Sequence, residues 1–331
     1  MATLVSKYSL LEQAKSIDPN GMQANIAEIL NYENAMLFDA PWLPSNDVWT
    51  NKTTRRASLP TGTWRKMNQG VATEVSRKDE VLDVIGMLET YSEPDKEYID
   101  NMPDPRQARM DEAQAFIEGL GQTLGSAMLY DNAQITPEKM HGFQPRLATI
   151  DSQYVFGQGG TGSDLTSIYI ITWGRNTVHM IYPKNAEAQL GVKHTDKGQV
   201  TISSAISANL HSTAQYEGYR DHFQVKCGLV VRDERCIGRL ANIETTGASN
   251  LFDEDNLIKI TNRMKINADT RMYVNDVVMS QMQIKLKDKN NVNYTPGRGE
   301  GLAGEIPIFF NGIPIRKIAR EILLITEDAI T

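Results

Sequence analysis

Residues Asp104 to Tyr130 read DPRQARMDEAQAFIEGLGQTLGSAMLY, and this stretch decides the fold. Asp104 can cap a helix, Pro105 suits its first turn, and Gln107 completes a capping-box spacing. Apolar residues then recur at Ala113, Phe116, Ile117, Leu120, Leu124, Ala127 and Met128, the spacing of one helical face. The pattern predicts a helix over 104–130, about 26 residues and ~39 Å long at 1.5 Å per residue. That is more than twice the mean helix length, which marks a structural spine. Gly119, Gly121 and Gly125 weaken such a helix by up to ~1 kcal/mol each, so close packing against another backbone is the expected reason for them.

Upstream, the charge changes sign abruptly. Residues 79–118 carry twelve acidic side chains against Lys96, Arg106 and Arg109, a net −9. Residues 50–78 carry Lys52, Arg55, Arg56, Arg65, Lys66, Arg77 and Lys78 against Glu74, a net +6. The β-type residues Val48, Trp49, Trp64, Val71 and Val75, broken by Gly and Pro, predict a long two-stranded hairpin with little apolar mass. Such a hairpin needs a surface to lie on. Charge runs are by default solvated faces, but the abruptness of the switch favours an electrostatic pair, within one chain or between copies. Residues 1–45 contain two weakly helical patches, Ser9–Ile17 and Met22–Leu30, and end at Pro41-Trp42-Leu43-Pro44. Two prolines around a Trp predict an extended arm lying on something else.

Downstream of Asp151 the texture is mainly β. Strands are expected at Tyr154–Phe156, Ser167–Trp173, Thr177–Tyr182, Phe223–Val231 and Cys236–Ile243, the last two joined as a hairpin through Arg232–Arg235. Pro183–Leu190 reads as a short helix or turn, and Asp253–Lys265 and Val274–Lys287 as amphipathic helices. An Asn/Gly-rich loop at 287–304 is long enough to be mobile or functional. Asn311-Gly312 is the strongest short hairpin signal, with Ile306-Pro307-Ile308 and Ile313-Pro314-Ile315 as its arms. Proline in both arms puts at least one side at a sheet edge. In the 232–235 hairpin register Cys227 and Cys236 do not meet, so both thiols are expected reduced and semi-buried.

Composition limits the function. The chain has 331 residues and a net charge of −7, with 40% hydrophobic and 23% charged residues, an ordinary globular make-up of about two domains. The net acidity argues against a protein whose main work is gripping nucleic-acid phosphates. The longest apolar runs are far short of a spanning helix, and the first 30 residues show no signal peptide, so a soluble, cytosolically made protein is expected. The letters of Gly157–Gly162 fit G-x-G-x-x-G, but the next segment, Leu165–Trp173, reads as a strand. A dinucleotide loop needs a helix there, so a β connection is the better reading. The histidines His141, His179, His194, His211 and His222 have no metal spacing, and no nucleophile motif is present. No cofactor, metal or catalytic residue is assigned.

Ile181-Tyr182-Pro183-Lys184, Gly191, Tyr216-Glu217-Gly218-Tyr219, Phe223, Gly228-Leu229-Val230-Val231-Arg232-Asp233 and Arg239-Leu240-Ala241-Asn242-Ile243 together resemble the major capsid proteins of tailed double-stranded DNA phages. The resemblance is strongest to the short-tailed group. It continues in Trp64-Arg65-Lys66-Met67-Asn68-Gln69-Gly70, in His141-Gly142-Phe143, and in Gly304–Ile315 followed by Glu321–Thr326, spanning roughly 50–326. It implies an α+β fold of the Hong Kong 97 type. The implied parts are an N-terminal arm (1–45), an extended E-loop hairpin (46–82) and a peripheral domain with the spine helix (83–150). A mainly axial domain with returning peripheral strands (151–303) and a C-terminal hairpin and strand (304–331) complete the chain.

The resemblance also implies an icosahedral head of hexamers and pentamers enclosing the genome, assembled in the host cytoplasm. The implied partners are copies of the chain itself, a portal, a separate scaffolding protein, a decoration protein in some members, and weak non-specific contact with packaged DNA, with no membrane. No fused scaffold region precedes the arm, and no cross-linking trio is carried over. On this reading the basic hairpin, led by Arg55, Arg56, Arg65 and Lys66 with Trp64 as aromatic anchor, lies across a neighbouring subunit. Its target is the acidic stretch around Glu89, Glu93, Asp95, Glu97 and Asp100, while Trp42 fixes the arm to an adjacent copy. Isolated surface ion pairs give at most ~1 kcal/mol, so many weak repeated contacts would hold the shell. The other readings are an encapsulin-like compartment shell, another virion component, and a nucleotide-binding enzyme using the Gly157–Gly162 loop.

Overall fold

A computed structural model describes residues 34–331 apart from 152, 186–191, 204–214, 248, 287–293 and 297–307. The helical patches expected at Ser9–Ile17 and Met22–Leu30, most of the Pro183–Leu190 helix or turn and most of the 287–304 loop lie outside the described residues. In chain order the elements are α1 (Ala35–Asp39), β1 (Trp42–Pro44), β2 (Thr50–Ser58), β3 (Arg77–Val84), β4 (Gly86–Ser92), α2 (Lys96–Asp100) and α3 (Pro105–Tyr130). They continue with β5 (Val155–Gly157), β6 (Leu165–Thr172), β7 (Val178–Tyr182), β8 (Lys193–Ser203), β9 (Gln215–Val231), β10 (Ile237–Glu244) and α4 (Glu254–Arg263). The last are β11 (Thr270–Val274), α5 (Asp276–Leu286), β12 (Tyr294–Pro296), β13 (Ile308–Phe310) and β14 (Ile313–Lys317). Two compact units form, one from Met87–Leu124 with Ala188–Lys226, the other from Glu33–Gly86, Gly125–Glu187 and Cys227–Thr331.

The larger unit is built on a sheet of order β12-β13-β14-β11-β6-β10-β5. Every residue of β6 is buried, as its apolar run Ile168–Ile171 demands. Leu257 and Ile260 of α4 and Val278 and Met282 of α5 close one core cluster with Ile168, Ile170, Leu240 and Met272. Asn311 and Gly312 both take positive φ, 48° and 80°, and Phe310 pairs with Ile313, as a two-residue hairpin turn requires.

Three local expectations fail here. β9 and β10 are not a hairpin: β9 pairs with β7, whereas β10 lies between β5 and β6. Asp233 instead caps a single 3-10 turn, Glu234–Cys236, that redirects the chain. Cys227 and Cys236 are nevertheless free and buried, their thiols pushed up to about 12 and about 11 chiefly by desolvation. Pro314 sits in an interior strand, not at an edge. The parallel ladder between β14 and β11 starts one residue later, at Ile315↔Met272, so no ladder bond is asked of the proline. Val274 ends a strand, and the helix begins only at Asp276. The Asn275 side chain caps that helix by accepting from the Val278 N–H at 2.9 Å. The Gly157–Gly162 segment is followed by β6 and not by a helix, as its sequence predicts.

Within the same unit β7 runs parallel to β1 and antiparallel to the end of β9. His179, buried on β7, has its pKa pushed down to about 4, first by desolvation and then by Arg232 and Arg175. An unfolded histidine titrates near 6.5. As pH falls through the window from ~6.5 to ~4, the unfolded chain takes up a proton that the folded one refuses, so stability falls by about 3 kcal/mol. Urea midpoints of wild type and His179→Leu between pH 7 and 4.5 are expected to diverge, the variant losing less. Parallel curves would remove His179 from the account.

In the smaller unit β8 pairs antiparallel with β9, and β4 lies on the other side of β9. Ile99, Met102 and Ala108 pack with Tyr98 and Tyr219. Arg109 of α3 pairs with Asp196 at 2.9 Å and Asp221 at 3.0 Å, and Phe116 stacks on Phe223. The Asp104 side chain accepts from the N–H groups of Arg106 and Gln107 as the cap of α3. The Gln107 side chain, however, bonds Asp111 and does not reach back to the cap. Gly125 meets the side chains of Asn34 and Ile322 and not another backbone, whereas a Cβ at Gly119 or Gly121 would meet nothing within 4 Å among the described residues.

Candidate intersubunit surface

β2 and β3 pair antiparallel from Thr50↔Val84 to Ser58↔Arg77, with a register shift between Arg56 and Ser58. The paired part is shorter than the β-type residues suggest: Trp64, Val71 and Val75 lie in the strandless segment 59–76. Thr and charged residues dominate β2, so its cohesion comes from the ladder and from cross-strand pairs. Asp79 stands opposite Arg55 in the ladder, and Lys52 reaches Glu80 at 3.6 Å, so one residue of the acidic run pairs with the hairpin itself. Arg56 stands opposite Lys78, with Arg77 next along the strand. Like charges directly opposite repel. No carboxylate partner for these three cations occurs among the described residues.

The base of the hairpin is firmly held. Asp83, buried on β3, receives Arg146 at 2.7 Å, and the same guanidinium reaches the carbonyls of His141 and Leu229. Ile85 packs with Ile181 and Val230, and its N–H donates to the Trp49 carbonyl. On β2, Arg55 donates to the Glu234 carboxylate and the Val231 carbonyl. Between β2 and the Arg232–Arg235 turn lies an open groove of about 1270 Å³, lined also by Tyr154 and Asn176.

Beyond Ser58 and Arg77 the segment projects freely. Trp64 is fully exposed, Met67 96% and Val75 82%, with Arg65 and Lys66 between the first two. Exposed aromatic and thioether side chains beside cations form the kind of patch that protein interfaces bury.

The acidic residues are less available than their sequence implies. Glu89 accepts from Gln224 and His222, and Gln224 above all holds its carboxyl below the usual range. Arg220 takes Glu93 at 2.7 Å. Asp95 caps α2 by accepting from the Glu97 N–H, and Asp100 accepts from the Tyr219 hydroxyl at 3.0 Å. Glu89, Glu97 and Asp100 are exposed. Trp42 lies in β1, opposite Met180 of the same chain. The Arg146–Asp83 and Arg55–Glu234 pairs were invisible to sequence reasoning, because the partners stand 63 and 179 residues apart and belong to no local pattern.

A family model described as major capsid protein GP7 matches residues 18–331. A chain in a near-atomic-resolution structure of bacteriophage epsilon15 is 25% identical, with a TM-score of 0.75, covering 100% of this chain and 99% of that one. The bacteriophage JBD30 capsid is more distant, 11% identical with a TM-score of 0.43 over 96% of this chain and 95% of that one. The SrpI encapsulin of Synechococcus elongatus is 10% identical with a TM-score of 0.46 over 68% and 94%. No curated protein matches the chain.

Proposed function

The chain belongs to the GP7 major capsid protein family and has the Hong Kong 97-type fold, and from that premise we propose how its copies join. It is a structural protein of a tailed-phage virion. In the proposal, hexamers and pentamers tile an icosahedral head around double-stranded DNA, and the projecting 59–76 segment of each copy lies across its neighbour. The observation that carries this is the fully exposed Trp64 beside Arg65 and Lys66, on a hairpin too thin to bury it. Burying one such aromatic with its surround is a typical interface anchor.

Arg56, Arg77 and Lys78 meet carboxylates of the neighbouring copy, with Glu97 and Asp100 among the exposed residues of the acidic group. A portal, a separate scaffolding protein and, in some assemblies, a decoration protein complete the partner set. Assembly takes place in the host cytoplasm. Contact with packaged DNA stays weak, in keeping with the net charge of −7. No reaction is part of the role.

Reversing two of these cations tests the charge part. Arg56→Glu with Lys78→Glu is expected to lower the yield of closed shells in electron micrographs at least about tenfold, since several repeated pairs of up to ~1 kcal/mol are inverted at once. Circular dichroism of the subunit is expected to stay unchanged. Shells at wild-type yield would exclude these cations from the contact.

A further inference from the structure

Arg55 differs from its neighbours in the hairpin. Its side chain is only 21% exposed and its guanidinium is spent inside its own chain, on Glu234 and on the Val231 carbonyl. Arg56, one residue on, is exposed and faces Lys78. We propose that Arg55 is a positioning residue for assembly: it ties β2 to the Val231–Glu234 turn of the same subunit and so aims the Trp64 segment, without touching the neighbouring copy. This rests on the assembly role assigned above.

The geometry supports a clamp at two points. Arg146 grips Asp83 on β3 inside the protein, and Arg55 grips the turn from β2 across the groove. A pair of strands with one anchored edge can still swing about it, and the Arg55 link removes that freedom. A nine-residue strand is ~30 Å long, so a swing of about 10° at its base displaces its end by ~5 Å. That is enough to miss a side-chain pocket. The Arg55–Glu234 link is weak in itself because Glu234 is 70% exposed. Its effect is therefore expected on the direction of the segment and not on the stability of the subunit.

A charge swap decides between a link within one chain and a contact between chains. Arg55→Glu and Glu234→Arg are each expected to lower shell yield about fivefold or more, with unchanged melting of the subunit. Arg55→Glu/Glu234→Arg in one chain restores the yield, while mixing the two single variants does not. Spin labels at Gly62→Cys and Asn176→Cys are expected to give a broader distance distribution in Glu234→Gln than in wild type. Rescue by the mixture, or single variants that assemble normally, would overturn the positioning role. If Arg55→Glu fails to fold, Glu234→Gln, a change at an exposed site, carries the test through yield and label distances alone. Wild-type subunits that form no shells under the same conditions would instead overturn the assembly reading itself.

Discussion

Replacing Arg239 with methionine is expected to destabilise the subunit by about 3–5 kcal/mol, the range for breaking one side of a buried ion pair. Arg239 is 0% exposed and pairs with Glu327, 2% exposed, at 2.9 Å. Its other donors go to the Ser167 hydroxyl and the Leu147 carbonyl, both at 3.0 Å. Tyr130 donates to the second Glu327 oxygen at 2.6 Å, and the Leu324 N–H donates in turn to Tyr130. One guanidinium thus joins β10 and β6 to the segment that follows β14. Without it, the Glu327 carboxylate stays in the interior with no cation. Because whole domains are stable by only ~5–15 kcal/mol, the loss is a large share of the total. Arg239→Met with Glu327→Leu is expected to recover most of it, because two apolar side chains need no solvation. Urea midpoints of the unassembled subunits measure both. If the single and double variants are equally unstable, packing around Arg239, and not its charge, is what matters.

The second large effect is on assembly. Trp64→Ala is expected to leave the subunit as stable as wild type, since the side chain is fully exposed among the described residues. The concentration needed for shells is expected to rise about 30- to 1000-fold, as loss of an interface anchor worth ~2–4 kcal/mol implies. Light scattering against subunit concentration gives the threshold directly. Assembly at the wild-type threshold would show that Trp64 anchors nothing, and attention would pass to Met67 and Val75.

How much of this was legible beforehand follows the range of the interactions involved. The α3 spine was legible from Asp104 to Tyr130 because capping and helical periodicity act within four residues. The Asn311-Gly312 turn was legible for the same reason: positive φ is a property of the residue itself. Strand β6 announced itself through an apolar run that had to be buried on both faces. The basic character of the hairpin could likewise be read directly, but the strandless segment that leaves Trp64 exposed could not, because Trp64, Val71 and Val75 read as strand residues.

Other features depend on which surfaces meet. Two β-rich runs separated by Arg232–Arg235 look like a hairpin. They part into different sheets, β9 pairing with β7 and β10 with β6. Gly119 and Gly125 look equivalent in the sequence, yet only Gly125 has a neighbour pressed against it. The acidic run 89–100 reads as the electrostatic partner of the basic hairpin, but His222, Gln224, Arg220 and Tyr219, more than a hundred residues later, take up much of it. Local composition alone determined the spine, the β-rich body and the thin basic hairpin, because backbone and capping energies act between near neighbours. Only the tertiary structure decided strand partners, the Arg239–Glu327 pair and the anchoring of Arg55, because burial and ion pairing depend on residues that the chain brings together from far apart.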